Sequence, residues 1–210
     1  MSRFPFFRSF LQEFDSKKYP KVKTVHLHTN GNLWTPSMWN SMKNVHPYVG
    51  SVEISIDASN KETYDIVRRN GDWDMLMENL DYINTLDTID VITLSFVVQN
   101  INYKEIFEFE KLKDRLNNIP QVRTHYHKIL DWGHMSDFDE RAVWKPEHRN
   151  YNDFRKLWDE FIKKTDKEQP LLVYCYHGNS SQVVAEYFSE NGCNQVYTID
   201  GGFDICRAKK

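Results

Sequence analysis

One strand pattern repeats along most of this chain, and it constrains the fold more than any other feature. From Val25 to Asn30, the polar residues His26, His28 and Asn30 alternate with Val25 and Leu27. From Ser51 to Asp57, Glu53, Ser55 and Asp57 alternate with Val52, Ile54 and Ile56. From Val91 to Gln99, Thr93, Ser95 and Gln99 stand against Ile92, Leu94, Phe96 and Val98. Between Val122 and Ile129, Arg123, His125 and His127 share a face, while Thr124 and Lys128 blur the opposite one. Successive side chains on a strand point to opposite faces, so each run has one polar and one apolar side. Helical patterns at Pro36 to Val45, Lys61 to Arg69, Trp73 to Leu86, Tyr103 to Asn117 and Tyr151 to Lys164 separate or follow these runs. Such alternation makes an α/β chain with a parallel sheet and crossover helices. Parallel strands covered by helices on both faces are nearly all apolar, and these are not. A partial (β/α) barrel with a polar concave face accounts for both observations. Its binding residues belong at the strand C-terminal ends, where Thr29-Asn30-Gly31, Asp57-Ala58-Ser59 and Gln99-Asn100 stand.

The remainder of the chain is a second, smaller module. The polar stretch from Thr165 to Pro170 ends in proline and marks the boundary. The expected domains are residues 1–165 and 166–210. Strands are expected at Leu171 to Cys175 and Gln195 to Ile199, with a helix from Ser181 to Asn191 between them. At 40% hydrophobic and 14% aromatic residues, the whole is a folded protein rather than a disordered one. A net charge of -3 gives a phosphate backbone nothing to bind, so no nucleic-acid partner is expected. No apolar run approaches the ~20 residues of a membrane helix. Arg3, Arg8 and Glu13 interrupt the Phe-rich start, which excludes a secretory signal. Phe7, Phe10, Leu11 and Phe14 there form an amphipathic helical stripe instead. The three cysteines, Cys175, Cys193 and Cys206, are odd in number and all late in the chain. That is a poor disulfide framework, and it points to a reducing cytoplasm.

Chemistry concentrates in the turn Cys175-Tyr176-His177-Gly178-Asn179-Ser180-Ser181. A cysteine at a strand end, followed by a tight loop and a helix start, meets converging backbone N–H groups and the positive end of the helix dipole. Both favour a thiolate or a persulfide anion. Gly178 lets the backbone close around the sulfur, and Asn179 tolerates a left-handed turn. Cysteine phosphatases use a similar turn but need an arginine where Ser181 stands, which argues against phosphoryl chemistry. A buried structural cysteine would not require such a loop, and Cys193 and Cys206 read as incidental. The pairs His26/His28 and His125/His127 each set two rings on one strand face, as metal sites require. No cysteine or nearby carboxylate spacing reinforces them. They read as polar lining, and no residue is assigned to a metal.

Two resemblances follow from these motifs. The stretch from Gln169 to Phe203, with its Cys175–Ser181 loop and its Tyr197-Thr198-Ile199-Asp200-Gly201-Gly202-Phe203 close, resembles single-domain rhodaneses, the thiosulfate sulfurtransferases. The resemblance implies that Cys175 is the nucleophile and that Tyr176, His177, Gly178, Asn179 and Ser180 cradle its sulfur. It implies a small-molecule sulfur donor and a thiol acceptor, and sulfur transfer that requires no cofactor. The first half of a complete rhodanese is not found, so this module is a partial rhodanese-like parallel α/β unit.

Residues 2–161 resemble the later half of a radical SAM barrel, on the ordered motifs His28-Thr29-Asn30-Gly31-Asn32-Leu33-Trp34, Ser55-Ile56-Asp57-Ala58, Glu62-Thr63-Tyr64, Arg68-Arg69, Phe96-Val97-Val98-Gln99 and Asp131-Trp132-Gly133. That family implies S-adenosyl-L-methionine contacts at Ser55, Asp57, Arg68 and Gln99. The family's cluster needs three closely spaced cysteines, and no cysteine precedes Cys175. No [4Fe-4S] cluster is therefore expected in this chain, nor radical chemistry from it alone. The chain reads as starting after the strands that carry the cluster loop, so a partner protein supplying missing barrel strands is an open option. The leading expectation is a Cys175 sulfurtransferase fused to a radical-SAM-derived partial barrel. Two alternatives stand beside it: a non-catalytic, truncated or split module binding S-adenosyl-L-methionine or a partner, and a recombination product without evolved function.

Overall fold

The structure is a computed structural model, and it describes residues 5–131, 133, 135–168, 170–174 and 179–199. The chain divides into two compact units, residues 1–154 and 155–210. Among the described residues, no helix is long and apolar enough to cross a membrane.

The first unit opens with α1 (Pro5–Gln12), whose stripe buries Leu11, with Phe14 buried just beyond its end. Four strands follow: β1 (Val25–Thr29), β2 (Val49–Ser55), β3 (Val91–Val98) and β4 (Gln121–Lys128). They pair in parallel and in chain order, β1-β2-β3-β4. An order that never reverses is what a (β/α) barrel requires, because each right-handed crossover then returns on the same side. A doubly wound sheet would reverse its order part-way. The unit is thus a partial barrel, in keeping with the polar and apolar strand faces.

The apolar face carries the core. Val52, Ile54, Ile92, Leu94 and Phe96 are fully buried on β2 and β3. Helix α4 (Trp73–Ile83) brings Leu76, Leu80 and Ile83 to the core, all fully buried. Asp72 caps it by accepting the Met75 N–H at 3.0 Å. Helix α3 (Lys61–Val67) is capped in the same way by Asn60, which accepts from Thr63 N at 3.0 Å.

Two expected helices are shorter than their patterns. Pro36 to Val45 becomes α2 (Pro36–Asn40) and then a 3₁₀ stretch, Lys43–Tyr48, that contains Pro47. Proline has no N–H to donate and breaks α-helical bonding there. Tyr103 to Asn117 becomes α5 (Ile106–Glu110) between 3₁₀ turns at Tyr103–Glu105 and Lys111–Leu116. Its apolar positions, Tyr103, Ile106, Phe109, Leu112 and Leu116, are buried all the same. The irregular stretch after β4 holds the short α6 (Phe138–Arg141) and buries Ala142 and Val143.

Helix α7 (Tyr151–Lys164) leads into the second unit, which pairs β5 (Leu171–Val173) in parallel with β6 (Val196–Thr198). Helix α8 (Asn179–Glu190) connects them and begins two residues before the expected Ser181. Among the described residues, Phe161, Ile162, Ala185, Phe188 and Cys193 are buried apolar positions of this unit.

Candidate functional site

The polar face of the first sheet is a hydrogen-bonded array rather than a loose lining. His26 Nδ1 lies 2.8 Å from Ser51 Oγ, and His28 Nε2 lies 2.8 Å from Ser55 Oγ. Each is a cross-strand pair from β1 to β2, held by the register of those strands. From β2, Glu53 reaches over β3 toward β4. Its Oε1 lies 4.0 Å from His125 Nδ1, 3.8 Å from His127 Nε2 and 4.0 Å from His28 Nε2. The reach is diagonal. Glu53 is paired with Thr93, one same-face row before the row of Ser55, Ser95 and His125. The small side chain of Ser95 on the intervening strand leaves room for it. The nearby His127, 3.8 Å away, holds the Glu53 carboxyl down to about 2, against the opposing effect of burial. Burial pushes the His125 pKa below its usual value, helped by His127 and opposed by Glu53.

The spacing rule that set the histidines aside as lining misses Glu53 because the carboxylate comes from a strand two places away. Its membership of the polar set on β2 is the one sequence signal that marks it.

The strand ends hold a second cluster. Asp57 adopts φ 63°, a left-handed conformation that ends β2 two residues before the expected boundary. Its carboxylate is buried and accepts from Val97 N at 2.8 Å and from Arg68 at 2.6 Å. Burial pushes the Asp57 carboxyl above its ordinary value, while Arg68 and the Val97 N–H pull it back. Asn102, fully buried, donates to Asp57 O at 2.8 Å and Val97 O at 2.9 Å, and accepts from Gln99 N at 2.7 Å. Of the four residues expected to face S-adenosyl-L-methionine, Asp57 and Arg68 are thus bound to each other. Ser55 is bound to His28, and Gln99 is buried with no hydrogen-bond partner for its Oε1. Asn30 Oδ1 and Arg68 Nε are likewise buried and unpartnered.

In the second unit, β5 and α8 flank the sulfur loop. Cys175, Tyr176, His177 and Gly178 lie outside the described residues. Asn179 and Ser180 form the first turn of the twelve-residue α8. Cys206 also lies outside the described residues. Cys193 is buried, with Lys167 Nζ donating to its sulfur at 3.9 Å.

Comparison with known families bears on both units. The family model for the Radical SAM superfamily matches residues 5–112, just over half of the chain. The chain belongs to the radical SAM superfamily. A second model, the Rhodanese-like domain, matches residues 110–208. That match begins well before the Gln169 at which the loop motif's resemblance starts, and it takes in β4 of the radical SAM sheet. Among curated proteins, the chain is similar to the thiosulfate sulfurtransferase GlpE of Pseudomonas savastanoi pv. phaseolicola and to that of Coxiella burnetii. Each is 53% identical over 49 residues, which is 23% of this chain and 46% of the relative. The GlpE of Pseudomonas aeruginosa is 51% identical over 49 residues, 23% of this chain and 44% of the relative. The chain therefore spans about half the length of the curated relatives it matches.

Membership of the radical SAM superfamily raises two groups that the residues can be tested against. A [4Fe-4S] cluster is held by thiolates. The first unit offers none, because every cysteine of the chain lies at or beyond Cys175. Its donors are imidazoles and carboxylates, and they do not fit the cluster. S-adenosyl-L-methionine is a closer fit. Buried, unpartnered atoms of Asn30, Arg68 and Gln99 are polar groups for which a ligand would supply hydrogen bonds.

Proposed function

We propose that the protein is a rhodanese-type sulfurtransferase that carries sulfane sulfur on Cys175. The observation that supports this most directly is the loop from Cys175 to Ser181, set between β5 and α8 in a chain whose later residues match the Rhodanese-like domain. In the proposed cycle the Cys175 thiolate attacks the outer sulfur of a thiosulfate-like donor. The donor's S–S bond breaks, sulfite leaves with that bond's electron pair, and Cys175 becomes a persulfide. A thiolate or cyanide acceptor then attacks the terminal sulfur, forms a new bond to it and releases the Cys175 thiolate unchanged. The start of α8 follows the cysteine closely in sequence, and its dipole would favour both anions. A cytoplasmic location suits a thiolate kept reduced.

The test is cyanide-dependent thiocyanate release from thiosulfate, with the mass of the protein read after thiosulfate alone. The expected result is one added sulfur on Cys175 and turnover that Cys175→Ser abolishes. Equal turnover by Cys175→Ser would overturn the reading.

The unpartnered buried atoms of Asn30, Arg68 and Gln99 favour a second reading, S-adenosyl-L-methionine binding by the first unit. Calorimetric titration with S-adenosyl-L-methionine would give heat that Gln99→Ala diminishes. No heat, and no shift in melting temperature, would exclude it.

A further inference from the structure

The cluster on the polar face has a donor set that neither sulfur transfer nor S-adenosyl-L-methionine binding uses. We infer that Glu53, His125 and His127 form a site for one divalent first-row transition-metal ion, Zn²⁺ or a close relative. One ligand atom from each of the three lies within 4.8 Å of the other two. Ligand atoms about 2.0–2.2 Å from a tetrahedral ion stand roughly 3.3–3.5 Å apart. The Glu53 distances of 3.8 and 4.0 Å to His127 and His125 need only a few tenths of an ångström of side-chain rotation to close. Two imidazoles and one carboxylate favour zinc, iron or cobalt over calcium and magnesium, which take all-oxygen shells. Three protein ligands leave at least one position open for water or an anionic group.

The scaffold suits such a site. His125 and His127 are two residues apart on β4, so the pleat points both rings to one face, with centroids 3.7 Å apart. Glu53 comes from a different strand and closes the triangle. Its side chain is 17% exposed, while His125 and His127 are 32% and 37% exposed, so an ion has a path in. Ser95, on the intervening strand β3, stands in the same-face row as His125 and leaves Glu53 room to cross toward β4. His28 stands 4.0 Å from the same Glu53 oxygen but shares a hydrogen bond with Ser55, which makes it a supporting group rather than a fourth ligand. With neutral imidazoles and one carboxylate, the three residues carry a single negative charge toward a dication.

Zn²⁺ itself is the probe, titrated into the metal-stripped full chain by calorimetry, with melting temperature as a second readout. The expected result is one equivalent bound, a rise in melting temperature, and the same affinity in Cys175→Ser. Glu53→Gln and His127→Ala should each weaken binding by roughly tenfold or more, with far-UV circular dichroism confirming that each variant folds. His127 is more than a third exposed, so its truncation carries the test if Glu53→Gln fails to fold. Co²⁺ in place of Zn²⁺ should give a visible spectrum of nitrogen and oxygen ligation without a thiolate charge-transfer band. The assignment is overturned by no Zn²⁺ binding, by unchanged affinity in His127→Ala, or by binding that Cys175→Ser removes.

Discussion

At the scale of single residues, the pair Asp57–Arg68 is the sharpest case of a site residue acting on stability. Asp57 is buried, and its charge is answered by Arg68 at 2.6 Å and the Val97 N–H at 2.8 Å. Arg68→Ala would leave a carboxylate in a nearly dry place with one donor. Breaking such a pair from one side costs about 3 kcal/mol or more, and urea denaturation at pH 7 would measure it. The cost should shrink as pH falls toward 4. Burial already raises the folded-state pKa of Asp57 above its unfolded value, against the opposing pull of Arg68, the Val97 N–H and His127. The folded state therefore holds the proton more tightly, and stability is lost as pH rises through the folded pKa. Removing Arg68 widens that window, so the wild-type and variant curves should converge in acid. A constant difference from pH 4 to 8 would show that Arg68 does not govern the protonation of Asp57 in that range. Asp57 and Gln99 were readable from sequence as strand-end residues, while Ser55 and Arg68 came from the radical SAM resemblance. That Asp57 and Arg68 answer each other was not readable, because it depends on the left-handed turn at Asp57. Glu53 was hidden for a related reason. Sequence spacing shows what shares one strand face, whereas Glu53 meets His125 and His127 across β3.

Among the elements, α4 shows where a periodic pattern informs and where it stops. Leu76, Leu80 and Ile83 repeat at helical spacing and are all fully buried, as a core stripe should be. Asn79 lies beside them, also buried, and periodicity alone would mark it as an error in the stripe. In the structure its Nδ2 donates to Gly31 O at 2.9 Å and Asn32 O at 3.0 Å. It thereby fixes the turn after β1, where Gly31 has φ 77° and a Cβ would stand 2.5 Å from Leu76 Cδ1. Asn32 continues the network by donating to Asp72 O at 2.6 Å and accepting from Tyr64 at 3.0 Å. Asn79→Ala should cost about 2 kcal/mol, because two buried carbonyls lose a donor. Leu80→Ala should cost about 3 kcal/mol through its cavity. Urea midpoints for the two variants provide the check, and an unchanged midpoint for Asn79→Ala would mean that water replaces its hydrogen bonds. The helix expected from Tyr103 to Asn117, of which only Ile106–Glu110 is α-helical, teaches the same lesson from the other side. The buried stripe was right, but 3₁₀ turns carry the apolar residues inward on either side of α5.

For the whole molecule, the two units differ in how much each can bury by itself. The first has four paired strands, and its inner pair, β2 and β3, contributes five fully buried apolar side chains. Among its described residues the second has two strands of three residues each, and Leu172, Val183 and Tyr197 are 55%, 67% and 55% exposed. A two-stranded sheet is marginal without further strands or helices against it. The partial barrel followed from strands with one polar and one apolar face, and the unreversed strand order agrees with it. Local opening costs least where few apolar contacts lie over the backbone bonds. Amides of Val52, Ile54, Leu94 and Phe96 should therefore exchange roughly a hundredfold more slowly than those of Leu172, Val173, Val196 and Tyr197. Hydrogen-exchange mass spectrometry of the full chain would read this directly. Equal protection in both sheets would mean that the second unit is stabilised as strongly as the first. If the sulfur loop is in use, thiosulfate should slow exchange in peptides covering β5 and the start of α8, and Cys175→Ser should remove that effect. The β2 and β3 peptides should exchange at the same rate throughout, because nothing in the proposed sulfur cycle touches the first sheet.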